Sequence, residues 1–505
     1  STDMRMAIAE CLPDPDAPIR LLEELTHPVA TGADSFRHGS ILPDTLFSLC
    51  DVVNDFLRVL DDYGVQHRRA VSSSAVRDAS NRDILVDRIR HASGLELEIL
   101  DPIEESRVIY QALLPWLRQH PGQYSMALNL GGGSTEIMIL RGEDLQIGGS
   151  RRLGTARLFH AAGGGGGGQN QVERLQAAAA NIVRSTREAY REYAISHFFL
   201  VNRMLYRAFR DDPAAERHEN DFVIAAEALR ERIARAVALS PLERGRHFNM
   251  GLAEVEMLTP AMMILDNFVA AAEVGEVTFT DTEMLSGLLL EMSMVLRGEN
   301  PLMAFRRQMV RSARAVGEQY SYDRTHARLV TDFSLTLFDA LRETLDLTDK
   351  DRLLLELAAV LHDIGMYVSE HHHQRHSAYL VKWSNIVGLN EQDRLLTSQI
   401  VYFHRRALPS RDHPEFMALG GPERLRVSKL AGILRLADVL DRGHGQSVKG
   451  MRAEISDDRL ILHLQITGDL GIIMSELPRK ADLLQQVTGL QIALRREMPD
   501  GLTRA

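Results

Sequence analysis

A run of glycines followed by hydroxyl and carboxyl side chains carries the most informative chemistry in the first half of the chain. It occupies 129–136, with the sequence Asn-Leu-Gly-Gly-Gly-Ser-Thr-Glu. Glycines let the backbone approach an anion closely, and successive N–H groups can form a concave phosphate site. Glu136 stands at the exit, where a carboxylate could hold a divalent cation. The segment lacks the Gly-Lys-Ser/Thr ending of nucleotide-triphosphatase P-loops, and a plain hairpin turn is the alternative interpretation.

Two acidic residues and an arginine elsewhere could complete a hydrolytic site. Glu104 and Glu105 lie at the predicted start of a helix, where acidic side chains often only complement the helix dipole. A carboxylate near a bound phosphate can instead act as a general base for water. Arg77 offers a planar donor group for phosphate oxygens, and a surface salt bridge is its alternative role.

Histidine and aspartate residues in the second half follow a pattern typical of a metal site. His362 and Asp363 are adjacent at the end of an apolar helix, with His326 upstream and Asp438 downstream on another helix. Adjacent His and Asp can bind one metal when a second His and a distal Asp complete the site. This order resembles the HD domain of metal phosphohydrolases and alarmone hydrolases.

Further histidines surround this pattern. His376 and His404 could extend the site to a second metal, whereas 371–373 is expected to form a solvated loop. A helical domain with a purely structural role is the alternative to an occupied metal site, and the sequence leaves both open.

The elements that must position these residues change character along the chain. Apolar spacing predicts mixed strands and helices up to about residue 298. The segments 125–130 and 136–140 are predicted to be antiparallel strands, because the turn between them is too short for a crossover. The following segments to about residue 442 are nearly all helical. The tail is predicted to contain strands at 452–455 and 460–466 and a helix at 480–496.

Length and composition limit the class of protein. The chain has 505 residues, which favours about three domains. A net charge of −11, from 58 Lys+Arg and 69 Asp+Glu, disfavours non-specific nucleic-acid binding. No run approaches about 18 consecutive apolar residues, so no membrane-spanning helix is expected. With only Cys11 and Cys50, we expect no disulfide framework and a cytoplasmic location.

Five segments resemble the exopolyphosphatase and guanosine pentaphosphate phosphohydrolase (Ppx/GppA) family in order and spacing, and the resemblance spans essentially the whole chain. The segments are 73–81, 101–110, 129–136, 153–157 and 281–287. The resemblance implies an α/β, actin-like (ribonuclease H-like) core of two lobes around a cleft, then an all-α HD-like domain and a small α+β tail. The implied domains are lobe I at 1–112, lobe II at 113–298, the helical domain at 299–445 and the tail at 446–505.

The resemblance also implies roles for individual residues. Glu105 corresponds to the base that activates water, Arg77 to a phosphate-facing arginine, and Glu136 to an acidic residue linked to catalysis and to Mg²⁺ or Mn²⁺. The second phosphate-binding loop of the family corresponds to Gly131, Gly132, Gly133, Ser134 and Thr135. The family's C-terminal helical domain is generally structural, or forms part of a polyphosphate channel and dimer interface.

Three segments depart from the family pattern. Asn129, the expected companion of Glu136 at the metal, stands where the family usually has Asp, so less negative charge is available. The chain opens at Ser1 in what resembles the second half of a first phosphate loop, so lobe I is expected to lack its first strand. No glycine occurs at 199–207, where the family has a later phosphate or nucleotide turn.

We therefore predict a hydrolase that removes terminal phosphate from inorganic polyphosphate, guanosine pentaphosphate, or both. Guanosine tetraphosphate is a further expected ligand, a homodimer is expected, and neither a membrane nor a specific nucleic acid is expected as a partner. One alternative is a non-catalytic regulatory protein that binds polyphosphate or an alarmone. The other is a metal-dependent phosphohydrolase that acts through the HD-like domain.

Overall fold

The computed structural model describes residues 3–14, 18–164, 169–188, 190–218, 221–468 and 471–497. Ser1, a predicted phosphate ligand, lies outside the described residues. The chain forms two compact units, Ser1–Pro301 and Leu302–Ala505. The finer division into two lobes, a helical domain and a tail stays a prediction.

Seven strands of the first unit form one mixed sheet. The strands of this unit are β1 (Asp3–Cys11), β2 (Ile19–Pro28), β3 (Ala70–Ser72), β4 (Leu97–Ile99), β5 (Tyr124–Leu130), β6 (Thr135–Arg141), β7 (Asp144–Arg151), β8 (Ile195–Val201), β9 (Glu216–Arg217), β10 (Asp221–Ala225) and β11 (Glu276–Thr280). A seven-stranded sheet has the order β7-β6-β5-β8-β11-β10-β9. Strand β5 pairs antiparallel with β6 and parallel with β8. The antiparallel pair predicted on either side of the glycine turn is therefore confirmed.

Helices pack around this sheet and around two smaller strand pairs. The helices are α1 (Thr31–His38), α2 (Pro43–Asp62), α3 (Ser74–Arg77), α4 (Arg82–Ser93), α5 (Pro102–Gln119), α6 (Thr155–Ala161), α7 (Gln169–Arg187), α8 (Arg203–Phe209), α9 (Ala226–Ala238), α10 (Pro241–Phe248), α11 (Leu252–Ala272) and α12 (Met284–Leu296). Strands β1 and β2 form a hairpin, and β3 pairs parallel with β4. The predicted α/β character of this half is confirmed.

Helix α11 is the most apolar element of the first unit. Among the described residues it is the one helix long and apolar enough to cross a membrane by length and composition, and 67% of its apolar window is buried inside the protein. Its side chains Leu258, Ile264 and Phe268 are 0% exposed and join the core cluster that also contains Leu128 and Phe198. The helix is accordingly explained as the central core helix of this unit.

The second unit is mainly helical and ends in a small sheet. Its elements are α13 (Pro301–Gln319), α14 (Arg324–Leu341), α15 (Asp349–Leu361), a 3₁₀ turn (Ile364–Tyr367), α16 (His373–Trp383), α17 (Glu391–Tyr402), α18 (Pro414–Met417), α19 (Gly421–Val439), β12 (Val448–Ser456), β13 (Arg459–Ile466), α20 (Gly471–Lys480), α21 (Asp482–Thr488) and β14 (Gln491–Glu497). Strand β13 pairs antiparallel with β12 and parallel with β14.

The helix predicted at 480–496 is wrong. Helix α21 ends at Thr488, because Gly489 adopts a left-handed conformation with φ of 74° and its N–H bonds the Gln485 carbonyl. The following segment forms β14, in which Ile492 and Leu494 share one face of the strand.

Candidate active site and metal cluster

The glycine turn between β5 and β6 is a tight bend held by the start of helix α6. Its closing bond runs from the Gly131 N–H to the Ser134 carbonyl, at 2.9 Å. The N–H groups of Thr155 and Arg157 donate to the carbonyls of Gly131 and Gly132, both at 3.0 Å. These bonds turn the loop carbonyls toward α6.

The Gly132 and Gly133 N–H groups of this turn remain available as hydrogen-bond donors. Among the residues that the structure describes, no protein atom accepts a hydrogen bond from the Gly132 or Gly133 N–H. A Cβ atom on Gly133 would collide with the Phe36 ring and the Ser74 hydroxyl, and one on Gly154 would collide with the backbone of Gly132. The close packing therefore requires glycine, and the turn can offer backbone amides to an anion.

Arg157 fixes the turn from the side of helix α6. Its Nε donates to the Gly133 carbonyl at 2.7 Å, and its Nη2 pairs with Asp78. The guanidinium also lies over the Phe36 ring, 4.4 Å from the centroid. Sequence reasoning included Arg157 in a family-like segment but assigned it no role.

Glu136 lies inside a closed hydrogen-bond network. Its Oε1 accepts from the Ser134 hydroxyl at 2.7 Å and the Ser150 hydroxyl at 3.1 Å, and its Oε2 accepts from the Asn129 amide at 2.7 Å. The residue is 0% exposed. Burial raises the pKa of Glu136, and the three hydrogen bonds oppose that rise.

This network engages the side-chain groups that were predicted to bind phosphate and Mg²⁺. The Ser134 hydroxyl is bonded to Glu136, and the Thr135 hydroxyl donates to the Leu153 carbonyl. Neither hydroxyl is therefore a free donor for phosphate, which leaves the backbone amides. Mg²⁺ demands octahedral oxygen coordination, whereas both Glu136 oxygens are occupied and Asn129 presents its N–H group to them. This pair does not fit a Mg²⁺ site as arranged.

The start of helix α5 separates the two adjacent glutamates. Asp101 Oδ1 accepts from the Ile103 and Glu104 N–H groups at 2.7 and 2.9 Å, and Glu104 Oε2 accepts from the Asp101 N–H at 3.1 Å. This reciprocal capping box explains Glu104 as a helix-starting residue. Glu105, one position later, turns inward and is only 4% exposed.

Glu105 is paired with Arg77. The Arg77 Nη1 donates to Glu105 Oε1 and to the Leu100 carbonyl, both at 2.5 Å. Burial, followed by the charge of Glu136, raises the pKa of Glu105 to about 8, and Arg77 opposes the rise. A carboxyl with such a pKa is suited to take a proton near neutral pH.

Glu105 and the glycine turn border the same open space. A cavity of about 1520 Å³ is lined by Glu105, Asn129, Gly131 and Gly132, together with the basic residue Arg203. A buried carboxylate and the glycine turn thus line one cavity within the first unit, whereas Arg203 is paired with Glu24.

Asn202 lies within 199–207, the segment in which the family pattern predicts glycine. Its Oδ1 accepts from the Leu205 N–H at 2.8 Å and caps helix α8, while its Nδ2 donates to the Leu130 carbonyl at 2.7 Å. This side chain therefore links α8 to the residue before the glycine turn. Sequence reasoning missed it, although an Asn directly before a short apolar helix is a recognisable cap signal.

The second unit brings the predicted metal ligands together. The Nε2 atoms of His326 and His362 are 3.1 Å apart. Asp363 Oδ2 lies 3.7 Å from the His326 Nε2 and 3.6 Å from the His362 Nε2. Asp438 Oδ1 lies 3.7 and 3.8 Å from the same two nitrogens. The four side chains form one buried cluster.

Two further histidines join this cluster, and one of them was not expected. His373 Nε2 lies 3.1 Å and His404 Nε2 lies 3.5 Å from Asp363 Oδ1. His373 is 2% exposed, so its placement in a solvated loop is wrong. His376, the predicted extension, is half-buried and is not among the residues that converge on Asp363. The chain enters α16 through His372 in a left-handed conformation, which orients the first turn of the helix.

Burial keeps the central imidazoles neutral. It lowers the pKa of His362 to about 4, and it lowers the pKa of His404 as well. The His362 Nδ1 is bonded to the Ala359 carbonyl at 2.8 Å and the His404 Nδ1 to the Val401 carbonyl at 2.6 Å. In both rings Nδ1 therefore carries the proton and Nε2 faces the cluster with a lone pair.

Two family models match the chain. Residues 19–295 match the Ppx/GppA phosphatase family, and residues 308–484 match Ppx/GppA phosphatase, domain III. The chain belongs to the Ppx/GppA phosphatase family. The predicted class, an enzyme that hydrolyses phosphoanhydrides, is confirmed. The second unit corresponds to domain III of this family, and the likeness to HD domains stays a prediction.

Known Ppx/GppA proteins resemble the chain at low identity. A guanosine-5'-triphosphate,3'-diphosphate pyrophosphatase from Photobacterium profundum is 23% identical over 82% of this chain and 80% of its own length. One from Vibrio vulnificus is 22% identical over 86% and 84%. The structure of an exopolyphosphatase from Cytophaga hutchinsonii has a TM-score of 0.53 at 18% identity, over 59% of this chain and 96% of that one. An exopolyphosphatase-like protein gives 0.51 at 18% identity, over 58% and 97%. The two structures support a shared fold.

Proposed function

We propose that the chain hydrolyses the terminal phosphoanhydride of inorganic polyphosphate, guanosine pentaphosphate, or both, in the cavity of its first unit. The observation that carries this proposal is that Glu105 and the first two glycines of the turn, Gly131 and Gly132, line one cavity. The names of the relatives are consistent with both substrates. The actin-like description of this unit and a homodimer remain predictions from the family resemblance, and the cytoplasmic location remains a prediction from the cysteine content.

In this mechanism the terminal phosphate binds the N–H group of Gly132, the residue of the turn that lines the cavity and whose N–H has no backbone partner among the described residues. Glu105 takes a proton from a water molecule as the water oxygen attacks phosphorus. The new P–O bond forms while the bond to the bridging oxygen breaks, and the shortened substrate leaves with the negative charge. Such chemistry depends mainly on positioning and on stabilising negative charge, which the backbone amides supply.

Arg77 has a different role here from the one implied by family resemblance. Its guanidinium is already bonded to Glu105 and to the Leu100 carbonyl. We propose that Arg77 positions the base and favours its ionised form, instead of contacting phosphate in the resting protein.

Mg²⁺ or Mn²⁺ remains a proposed cofactor, and it would neutralise charge on the phosphate chain. Because Asn129 and Glu136 do not fit such an ion, we assign no ligand for it from this pair. We propose instead that Glu136 is a structural carboxylate that fixes the serine hydroxyls and the Asn129 amide around the turn.

The test compares two neighbouring glutamates. Glu105→Gln should reduce phosphate release from long polyphosphate and from guanosine pentaphosphate by about 10²–10⁴-fold, because the general base is lost. Glu104→Gln is the matched control, since glutamine also serves in a capping box, and it should retain activity. Polyphosphate binding, measured by calorimetry, should persist in both variants.

Normal turnover by the Glu105 variant would contradict the assignment of the base. A wild-type protein that binds polyphosphate yet releases no phosphate with Mg²⁺ or Mn²⁺ would support the alternative of a non-catalytic binding protein.

The convergence of His326, His362, Asp363 and Asp438 favours a second candidate function, metal-dependent phosphate-ester hydrolysis by the second unit. Cationic groups adjoin this cluster, because Arg405 Nη1 lies 3.1 Å from the His373 Nδ1. Activity lost in Asp363→Ala but retained in Glu105→Gln would select this candidate over the first.

A further inference from the structure

We propose that the second unit binds two divalent transition-metal ions that share the carboxylate of Asp363. The first ion would be held by His326, His362, Asp363 Oδ2 and Asp438 Oδ1. The second would be held by Asp363 Oδ1, His373 and His404. The site lies outside the cavity of the first unit, and the proposal does not depend on the function proposed for that cavity.

The first group of ligands has the spacing that a shared ion requires. In the group formed by His326, His362 and Asp363, all ligand atoms lie within 4.8 Å of one another. Two imidazole nitrogens bound to one ion at about 2.0–2.1 Å lie about 3 Å apart. The observed separation of the His326 and His362 Nε2 atoms is 3.1 Å.

The hydrogen bonds at the Nδ1 atoms of His326 and His362 turn the Nε2 atom of each ring toward the cluster, where a cation can bind. The His362 Nδ1 donates to the Ala359 carbonyl, so its Nε2 is a lone pair. The His326 Nδ1 is 2.9 Å from Asp441 Oδ2, a carboxylate that fixes the ring with Nε2 toward the cluster. The two Nε2 atoms lie 3.1 Å apart, and an ion bound between them would be coordinated by both rings.

The second group contains two buried polar atoms without a hydrogen bond. Among the described residues, neither Asp363 Oδ1 nor His404 Nε2 has a partner with hydrogen-bond geometry, and the nearest ring nitrogen to Asp363 Oδ1 is the His373 Nε2 at 3.1 Å. His404 is 0% exposed, and its Nε2 lies 3.5 Å from Asp363 Oδ1. Such atoms are costly to bury unpaired, and Asp363, His373 and His404 again lie within 4.8 Å of one another.

Lys480 positions the remaining carboxylate. Its buried ammonium group donates to Asp438 Oδ2 at 2.6 Å and to the His404 carbonyl at 3.1 Å. This contact uses the outer oxygen of Asp438 and leaves Oδ1 directed at His326 and His362. We expect each of the two ions to be zinc, manganese, iron or cobalt, because imidazole nitrogen with carboxylate oxygen suits these metals better than Mg²⁺.

The test measures zinc bound by the full chain after chelator treatment and reloading with Zn²⁺. Asp363→Asn should bind two fewer ions per chain than the wild type, whereas His373→Ala and His404→Ala should each bind one fewer. His376→Ala is the matched control on the same helix and should bind as many ions as the wild type. These differences are independent of any ion that the first unit binds, and Glu105→Gln should leave them unchanged.

A loss of only one ion, or of none, in Asp363→Asn would overturn the two-ion proposal. An equal loss in the His373 and His376 variants would overturn the assignment of His373. Circular dichroism checks folding, and His373→Asn replaces the alanine variant where that variant unfolds. Titration of the wild type with Co²⁺ gives a second readout, because two ions ligated by histidine should add visible absorption up to two equivalents and one ion only up to one equivalent.

Discussion

Replacing Arg77 by glutamine should shift the pH at which the protein works. Arg77 Nη1 lies 2.5 Å from Glu105 Oε1, and Glu105 is 4% exposed. Burial and the charge of Glu136 raise the pKa of Glu105 to about 8 against the effect of Arg77. Without the guanidinium the pKa must rise further, so the carboxylate is protonated at a pH where the wild type is partly ionised.

The size of the effect follows from the ionised fraction of Glu105, since a general base works only when ionised. With a pKa of about 8, about a tenth of Glu105 is ionised at pH 7. A neighbouring opposite charge lowers a carboxyl pKa by about 1 to 3. Losing Arg77 should therefore reduce kcat/KM at pH 7 by about 10- to 1,000-fold, and raising the pH should restore most of it.

The assay is phosphate release from polyphosphate between pH 6 and 10. Arg82→Gln is the control, because Arg82 is an arginine of the same segment whose side chain is 49% exposed, and it should follow the wild-type profile. A loss in the Arg77 variant that is equal at every pH and lies in KM would refute this reasoning. That result would instead indicate that Arg77 binds phosphate directly.

Three further predictions concern the same unit. The folded-state pKa of Glu105 is raised above its ordinary value of 4.5 to about 8, so the folded state holds the proton more tightly and loses stability as pH rises across that interval. Glu105→Gln should accordingly raise the thermal midpoint at pH 8 and change it little at pH 5 in calorimetry. Gly133→Ala should sharply lower phosphate release, because the new Cβ meets Phe36 and Ser74; unchanged activity would contradict an amide site in this turn. Asn202→Ala should lower the free energy of unfolding by about 1 kcal/mol in urea titrations, since the cap of α8 is lost.

The parts of the candidate site that depend on neighbouring residues could be predicted from the sequence. The glycine turn lies between two apolar segments. The connection between these segments is too short for any arrangement other than a hairpin. The start of α5 is marked by Asp101, Pro102 and Glu104, which are the residue types of a capping box with proline at the first helical position. The start of the helix can be predicted, but it does not determine where Glu105 points. The inward direction of that side chain depends on how the helix packs.

The contacts that hold the turn in place could not be predicted, because they join residues far apart in the chain. Arg157 reaches the Gly133 carbonyl across 24 positions, and Asn202 reaches the Leu130 carbonyl across 72. No local spacing specifies such pairs. The end of the chain shows a related difficulty, because the segment after Gly489 is too short for its apolar spacing to distinguish a strand from a helix.

His376 was predicted to join the metal cluster, and the structure places His373 there instead. This difference shows why the residue types of a site are easier to predict than the directions in which their side chains point. Both residues belong to helix α16, and positions three apart on a helix differ by about 60° around its axis. An apolar face spans at least about 100°, so the sequence pattern cannot assign one of the two to the cluster. The structure decides the matter through helix packing. Gly365 makes this packing possible, because a Cβ there would collide with the His373 carbonyl and the Ser377 backbone. A small residue two positions after Asp363 therefore lets α16 approach closely enough for its first histidine to reach the shared carboxylate.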